Sequence, residues 1–471
     1  MNNLRGIRAK AVARLPLLVL AAGLVAALDL PVRAQVQVKR KYRQQLLAPL
    51  PAQADVRASV RISPDLRHVA YIKTSGEGQL VVLDGKDQPP YDRVAEVVFS
   101  PDGRRWAYPA RKNDQWFVVA DGTPHGPYAR VGLPVFSPNS QRLAFVALLP
   151  DGKRSIVLDG KPGPTCDEVF EGWVVFSPDS QHLAYGARKG AFWFVVQDEK
   201  EIGPFEFLGS TTGIHYSGDS RHLAFAALKG DKWHVVLDGQ PLEDHDNLGE
   251  LAITRDGKRL AYAAQHGKQW HVVADGKPQA PFRAIGEGTL RYSPDGSRLV
   301  YAAQTDSGWC VVLDGKPGPT YDSIGQILFS PDGRSLAYVA RTGHTEAVVL
   351  DGRAQRAFDR IGGGTLVFSP GGNRLAYIAR SGRATFVVAD GKRKPRYDMA
   401  GYLTFTPDGR EPVYAAVKDG KTFTVVEDRQ SVHFYDEIWM PPGTPLVFVS
   451  PTRFRYLGVK QEQLFMVEEE L

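Results

Sequence analysis

One phrase recurs along the whole chain and constrains its fold more than any other feature. The cleanest copy is FSPDGRSLAYVA at 329–340, and a Val-Val-Leu-Asp-Gly run follows it at 348–352. The copies align on a serine or threonine at these positions: Ser63, Ser100, Ser137, Ser177, Ser217, Thr254, Ser293, Ser330, Ser369, Thr406 and, in a decayed eleventh copy, Ser450. Successive copies begin 37 to 44 residues apart. A period of this size indicates a repeat architecture.

Each repeat predicts short strands joined by tight turns. In the unit that starts at Trp309, the run to Leu313 is rich in β-branched residues and predicts a strand. Asp314-Gly315 and the Ser-Pro-Asp-Gly phrase predict turns. Two prolines in 316–320 favour an edge strand, and we expect a short outer strand at 321–324 that ends at Gly325. No stretch shows sustained helical periodicity. Four-stranded units of this length are typical of β-propeller blades.

The phrase F-S-P-D-G-x-x-L-A-Y-x-A, followed by V-V-x-D-G, resembles the WD-repeat-like blades of TolB and of prolyl oligopeptidase relatives. The resemblance covers about residues 55–430. It implies an all-β propeller and leaves activity open. TolB carries an α/β domain before its propeller, and the short polar segment after residue 34 cannot form one. The peptidases carry a G-x-S-x-G elbow, which this sequence lacks.

The repeat count predicts about ten to eleven four-stranded blades. Because propellers typically have four to eight blades, we expect two rings of five and six, with one large ring as the alternative. Residues 55–250 form the first half of the array and 251–471 the second half. Residues 35–54 form a polar leader, within which 42–47 is the candidate for a closing strand. Its expected partner is the strand that ends the chain at 463–471.

The first 34 residues predict a secretory signal peptide. Four cationic residues precede an apolar run at 15–28, and Val32 and Ala34 suit a cleavage site. The run is shorter than a membrane span requires, although an uncleaved anchor is the alternative. The chain has a net charge of +6, of which this segment carries +4. We therefore expect a periplasmic or secreted protein with no later membrane span and no nucleic-acid partner.

Residue types that often carry chemistry occur here at repeated positions, which favours structural roles. The aspartates of the turns are expected to bond their own backbone: Asp102, Asp121, Asp159, Asp179, Asp238, Asp275, Asp295, Asp314 and Asp332. The tryptophans that share one strand position favour packing between blades over a ligand platform: Trp116, Trp193, Trp233, Trp270 and Trp309. Cys166 and Cys310 are expected to be buried thiols. The histidines are expected not to cluster, so the sequence predicts no metal, cofactor or catalytic site.

Turns that differ between the copies are the better candidates for function, since rigid scaffolds usually carry function on loops. In a four-stranded blade, the turns between the second and third strands and the connections between blades share one face, here called the variable-loop face. Its candidate binding residues are Arg111, Lys112, Arg188, Lys189, Lys229, Lys232, Lys268, Arg341, Arg380, Arg383, Lys418 and Lys421. Such cations attract an anionic partner, although exposed loops commonly carry Lys and Arg without any function.

The leading hypothesis is a non-catalytic binding scaffold in the periplasm or outside the cell. Its expected partner is a protein or an anionic glycan or lipid. One alternative is a propeller enzyme, a glycan lyase or hydrolase, with its site in the central channel. The other alternative is a TolB-like component of envelope assembly, which predicts a protein partner in the envelope.

Overall fold

The repeated phrase forms a turn around a buried serine. In the computed structural model, which describes residues 36–49, 57–170, 172–209, 213–440 and 446–471, Ser330 is fully buried. Its hydroxyl donates to Asp332 Oδ1 at 2.5 Å and accepts from the Ser335 amide at 2.9 Å. Gly333 follows with φ of +71°, a conformation that glycine adopts without steric cost. The turn therefore fixes where each first strand ends and each second strand begins.

The described residues form eleven consecutive β-sheets, which we number as blades 1 to 11. Two strands precede blade 1: β1 (Val36–Val38) and β2 (Tyr42–Pro49). Blade 1 consists of β3 (Arg61–Ile62), β4 (Val69–Ser75), β5 (Gly78–Leu83) and β6 (Lys86–Asp87). Blade 2 consists of β7 (Arg93–Val94), β8 (Val98–Phe99), β9 (Trp106–Lys112), β10 (Gln115–Ala120) and β11 (Thr123–Tyr128). Blade 3 consists of β12 (Arg130–Val131), β13 (Val135–Phe136), β14 (Leu143–Leu148), β15 (Arg154–Leu158) and β16 (Lys161–Cys166).

The middle blades repeat this order. Blade 4 consists of β17 (Glu168–Val169), β18 (Val175–Phe176), β19 (Leu183–Lys189), β20 (Phe192–Gln197) and β21 (Lys200–Phe205). Blade 5 consists of β22 (Phe207–Leu208), β23 (Ile214–Tyr216), β24 (Leu223–Lys229), β25 (Lys232–Leu237) and β26 (Gln240–Pro241). Blade 6 consists of β27 (Asn247–Ile253), β28 (Leu260–His266), β29 (Gln269–Ala274) and β30 (Lys277–Pro278). Blade 7 consists of β31 (Ala284–Ile285), β32 (Arg291–Tyr292), β33 (Leu299–Thr305), β34 (Gly308–Leu313) and β35 (Lys316–Tyr321).

Four blades complete the array. Blade 8 consists of β36 (Ser323–Phe329), β37 (Leu336–Thr342), β38 (Thr345–Leu350) and β39 (Arg353–Phe358). Blade 9 consists of β40 (Arg360–Ile361), β41 (Val367–Phe368), β42 (Leu375–Ser381), β43 (Ala384–Ala389) and β44 (Lys392–Tyr397). Blade 10 consists of β45 (Met399–Phe405), β46 (Pro412–Lys418), β47 (Lys421–Val426) and β48 (Arg429–Ser431). Blade 11 consists of β49 (Glu437–Ile438), β50 (Val447–Ser450), β51 (Arg453–Lys460) and β52 (Gln463–Glu470).

The predicted all-β propeller of ten to eleven blades is confirmed, with two changes in strand placement. In seven of the described blades the first strand is divided into two short strands that both pair with the second strand. Tyr321 ends the outer strand β35, whereas Ser323 and Ile324 begin the first strand of blade 8. The separate outer strand expected at 321–324 is therefore wrong. Gly325 does not break that first strand, because the register with β37 shifts between Ile324 and Ile327 and the strand then continues. A β-bulge absorbs the extra residues at this point.

Hydrophobic packing joins the blades into one ring. One core cluster joins blades 5 and 6, through residues such as Ala224 and Leu248. Another joins blades 10, 11 and 1, through Val413, Tyr456 and Val69. Between these, each pair of neighbouring blades shares a buried cluster. The packing of the described residues therefore follows the alternative of one large ring, and the expected two rings of five and six are not seen.

Strand β2 closes the ring from the N-terminal side. It pairs antiparallel with β52, from Tyr42 opposite Glu469 to Pro49 opposite Gln463, and so adds the outer strand of blade 11. Strand β1 pairs parallel with β48 of blade 10. The N-terminal segment thus supplies the closing strand that was predicted at 42–47. Residues 50–54 of the predicted leader and the predicted signal at 1–34 lie outside the described residues.

A buried ion pair lies where this segment meets the last two blades. Arg40 Nη1 donates to Glu469 Oε2 at 3.0 Å, and the two side chains are 4% and 0% exposed. Thr424 of blade 10 donates to the same oxygen at 2.9 Å. Tyr456 and Ser431 donate to the other carboxylate oxygen, at 2.7 and 3.2 Å. Because Glu469 accepts hydrogen bonds on both oxygens, protein donors compensate for the water that its buried carboxylate has lost.

Arginines just before the second strands connect neighbouring blades. They lie on the face that carries the Ser-Pro-Asp-Gly turns, opposite the variable-loop face, and we call it the repeated-turn face. Arg105 pairs with Asp121 of its own blade at 2.8 Å. Its guanidinium also donates to the Gln141 carbonyl of the next blade at 2.7 Å and lies 5.2 Å from the centre of the Phe136 ring. Arginines at four further blades also pair with an aspartate and lie over a ring of the next blade: Arg142, Arg259, Arg298 and Arg374.

We predict that Glu469→Ala destabilises the ring far more than the loss of an exposed ion pair. The substitution leaves Arg40 buried without its counter-charge, which costs about 3–5 kcal/mol. Lys73→Ala is the control, because the Lys73–Asp87 pair is about half exposed and such pairs contribute at most about 1 kcal/mol. Urea unfolding curves of the three proteins provide the measurement. Equal midpoints for the two variants would contradict a closing role for Glu469.

We also predict that the serine–aspartate turns make the fold sensitive to acid. The Ser293 hydroxyl is the main cause that lowers the pKa of Asp295 to about 2, and serine hydroxyls also lower the pKa of Asp102, Asp179 and Asp332. Since the unfolded chain takes up these protons at higher pH, stability is fully present above about pH 4 and falls as the pH decreases toward about 2.

The chain itself offers the control for this acid effect. Asn139 occupies the aspartate position in blade 3 and accepts from Ser137 at 2.7 Å, so asparagine fits the turn without titrating. Replacing all four aspartates by asparagine should flatten the dependence of the urea midpoint on pH between 2 and 4. An unchanged slope in the fourfold variant would show that other groups cause the acid effect.

Candidate functional site

The cations predicted from the sequence lie at the turns between second and third strands, in blades 2, 4, 5, 6, 8, 9 and 10. The strand pairing places these turns at the ends opposite the Ser-Pro-Asp-Gly turns; in blade 8, Thr342 pairs with Thr345 at one end and Ala337 with Leu350 at the other. The twelve residues are therefore spread over seven blades. The structure does not gather them into a single site.

Several of these cations form ion pairs with carboxylates of the same blade or of the segment that connects it to the next blade. Arg111 pairs with Asp114, Lys189 with Glu201, Arg188 with Glu168 at 3.0 Å and Lys232 with Asp246 at 2.6 Å. Lys421 lies 5.1 Å from the centre of the Phe434 ring. Within the described residues, six others make no ion pair: Lys112, Lys229, Lys268, Arg341, Arg380 and Arg383. The positive field of this face is therefore weaker than the sequence alone indicates.

A cleft lined by blades 2, 3 and 4 opens toward the same face and was not predicted. It has a volume of about 730 Å³ and is rimmed by Arg93, Arg130 and Arg154. Its apolar wall is formed by Val131, Leu133, Val135, Val146, Leu148 and Val174. Arg93 and Arg130 are exposed and make no ion pair in the described part of the chain. Leu133 is 52% exposed at the mouth.

The sequence signal for this cleft was present but weak. Arg93 and Arg130 each begin the first strand of a blade, one residue before a buried valine. At the same position, other blades carry Glu168, Phe207 or Asn247. Only the fold shows that two such arginines in neighbouring blades border one depression.

The histidines between blades 5 and 6 do cluster, and the expectation that they would not is wrong. His245, His266 and His271 offer ring nitrogens that all lie within 4.8 Å of one another. His245 Nδ1 is 3.1 Å from His266 Nε2. The His266 and His271 rings stack with centroids 5.0 Å apart. Residues that are 26 positions apart in the sequence meet here because His245 follows blade 5 while the other two flank a hairpin of blade 6.

Burial controls the protonation of this cluster. His245 and His271 are buried, whereas His266 is exposed. Burial is the main cause that lowers the pKa of His245 to about 4, and the His266 and His271 imidazoles lower it as well. The pKa of His271 is also lowered, first by burial and then by His266. His245 is therefore neutral at pH 7, with one ring nitrogen able to accept or to ligate.

The other candidate residues have the structural roles expected of them. The turn aspartates accept from nearby backbone amides, as Asp102 does from Arg104 at 3.0 Å and Asp121 from Trp106 at 3.0 Å. Four of the five tryptophans pack against core clusters: Trp116, Trp193, Trp233 and Trp309. Cys166 and Cys310 are free and buried.

Comparisons with known proteins find distant structural likenesses only. No family model matches the chain, and no curated protein matches it. Similar solved structures include a eukaryotic initiation factor, at 14% identity over 71% of this chain and 97% of that chain, with a TM-score of 0.39. A Dos1 propeller is 12% identical over 62% and 92%, with a TM-score of 0.30. TolB from Acinetobacter baumannii is 14% identical over 60% and 77%, with a TM-score of 0.26.

These likenesses agree with the resemblance of the repeats to TolB-like and WD-repeat-like blades. At such identities and TM-scores they carry no argument about function. The propeller assignment itself rests on the eleven consecutive sheets. Among the described residues, none of the helical segments has the length and apolar character needed to cross a membrane.

Proposed function

We propose that the protein is a non-catalytic binding scaffold that acts in the periplasm or outside the cell and recognises an acidic segment of a partner protein through its variable-loop face. One observation carries the proposal: the cleft lined by blades 2 to 4 combines an apolar wall with exposed arginines, Arg93 and Arg130, that make no ion pair with any described residue. An extended segment with carboxylates beside apolar side chains matches both features. The signal-like sequence at 1–34 supports export.

The electrostatics of the rim favour recognition over structural stability. An arginine whose charge is needed for the fold usually has an acidic partner, as Arg105 has in Asp121. Arg93 and Arg130 have none among the described residues, so both guanidinium groups are available for bidentate contacts to a carboxylate. Unpaired cations beside apolar surface also steer an anionic partner toward the cleft before contact.

The closed ring supplies the rigidity that such a site requires. Arg93 pairs across the sheet with Arg111, and Arg130 with Leu148. Both positions belong to regular strands on well-packed blades. A pre-organised site loses little conformational entropy on binding. This arrangement is also compatible with the TolB-like alternative, in which the partner belongs to the envelope.

We predict that Arg93→Glu combined with Arg130→Glu weakens partner capture at least about tenfold, because reversal turns attraction into repulsion at the rim. The measurement is a pull-down from an envelope extract, quantified by mass spectrometry, followed by titration of the enriched protein. Arg334→Glu combined with Arg410→Glu is the matched control. Both control residues are highly exposed, at 87% and 84%, on the repeated-turn face.

Stoichiometric enrichment of one acidic protein by the natural chain, lost in the rim variant and kept in the control, would support the proposal. Equal capture by both variants would contradict it. Binding to a glycan array without any protein partner would also contradict it and would favour the glycan enzyme.

A further inference from the structure

An aromatic pair recurs at most junctions between the described blades, and the junction of blades 5 and 6 departs from it. Where blade 1 meets blade 2, Tyr91 packs edge-on against Tyr108 with ring centroids 6.4 Å apart. Phe282 packs in the same way on Tyr301, 6.2 Å apart. His245 takes this position between blades 5 and 6, and its ring lies 5.4 Å from that of Tyr262. The imidazole of His245, which can bind a metal ion, therefore occupies a buried position that holds Tyr or Phe at those other junctions.

His266 also occupies a repeat position that holds different residues in other blades. His266 ends the second strand of its blade, where blades 7 and 8 carry Thr305 and Thr342. His271 lies in the third strand, where blade 2 carries Phe117 and blade 5 carries His234. The side chains of all three histidines converge on one point. Their ring nitrogens lie within 4.8 Å of one another.

We propose that His245, His266 and His271 form a binding site for a divalent late-transition-metal ion of the zinc class, which joins blade 5 to blade 6. Three nitrogens bound to one tetrahedral zinc at about 2.0–2.1 Å lie roughly 3.3–3.4 Å apart. The His245 Nδ1 to His266 Nε2 separation of 3.1 Å is already close to this value. Because the His266 and His271 rings stack with an interplanar angle of 9°, the His271 ring must turn out of this stack to direct a nitrogen to the same ion.

The surroundings of His245 suit a ligand. Its backbone amide and carbonyl both bond to Trp233, at 2.9 Å each, so the main chain is fixed. Its Nε2 lies 3.3 Å from the Tyr262 hydroxyl. This contact leaves Nδ1 directed to His266, and a ligating histidine usually donates its other ring nitrogen to a neighbouring group. Tyr262 is therefore a positioning residue for the site.

The local charge also favours a cation. Glu243, Asp244 and Asp246 follow blade 5 and act electrostatically on the three imidazoles. Asp246 is partly neutralised by Lys232, with 2.6 Å between Nζ and Oδ1, and it accepts from the Gly267 amide at 2.7 Å. Glu243 and Asp244 are exposed. The site thus has two further carboxylates nearby to balance a divalent charge.

The donor set selects the class of metal. Imidazole suits Zn²⁺, Cu²⁺ and Ni²⁺, whereas Mg²⁺ and Ca²⁺ prefer oxygen ligands. Three protein ligands leave a fourth position for water or for a group from a partner. His266 is exposed, so that position is accessible from the variable-loop face. The metal site involves blades 5 and 6, whereas the arginine cleft is lined by blades 2 to 4, so the metal site does not depend on the proposed function.

The test is titration of the purified, chelator-treated full chain with Zn²⁺ alone by calorimetry. We expect one saturable site per chain and an increase in the thermal midpoint on binding. His245→Phe restores the aromatic residue that other junctions carry, so it preserves packing on Tyr262 while removing a ligand. It should weaken zinc binding by more than about 100-fold, beyond the 10–100-fold effect of losing a second-sphere partner.

Two further variants complete the test. His344→Ala removes an exposed histidine from a turn of blade 8 and should leave zinc affinity unchanged. Tyr262→Phe should weaken binding about tenfold or more while keeping the stoichiometry at one. Absence of saturable binding by the natural chain would overturn the proposal, as would equal affinity of the natural and His245→Phe proteins.

Discussion

The N-terminal segment completes the ring at blades 10 and 11, and there its contact with the end of the chain depends on Arg40 and Glu469. Strand β1 belongs to the edge of blade 10 and β2 to the edge of blade 11, so Arg40, which lies between them, spans both. Glu469 receives its guanidinium together with hydroxyls from Thr424 and Tyr456. A buried carboxylate with this many donors is stable only when the chain ends are in register. The ion pair therefore specifies closure as well as stabilising it.

The two faces of the ring differ in structure, because the arginine contacts that join neighbouring blades lie on the repeated-turn face. On the repeated-turn face, Arg105 joins an aspartate of its own blade to a carbonyl and a ring of the next. Similar bonds recur at Arg259 and Arg374. Since these bonds fix the angle between neighbouring blades, the opposite face can change its residues without loosening the ring. The arginine cleft and the histidine cluster both lie on that opposite face.

The sequence predicted the blades well because the turn chemistry is local. A serine, an aspartate and a glycine within four residues determine the turn wherever they occur. The number of rings could not be predicted in the same way, because it depends on the angle between packed blades. It also depends on contacts between residues far apart in the chain, such as Val413 and Val69, which belong to one core cluster. The cation turns were found, but their pairing with acids such as Glu168 and Glu201 depends on which strands are neighbours.

The histidines show why a repeat should be compared with itself before its motifs are searched. The sequence contains no recognisable metal-binding spacing, since His245 and His266 are separated by strand β27, a turn and the rest of strand β28. Aligned with the other blades, however, His245 stands at a position of Tyr or Phe packing, such as that of Tyr91 and Phe282. A buried aromatic position tolerates histidine poorly unless its nitrogens have partners, and here Tyr262 and His266 provide them. In a scaffold of equivalent blades, the residues that break the equivalence at a buried junction are therefore the strongest candidates for chemistry.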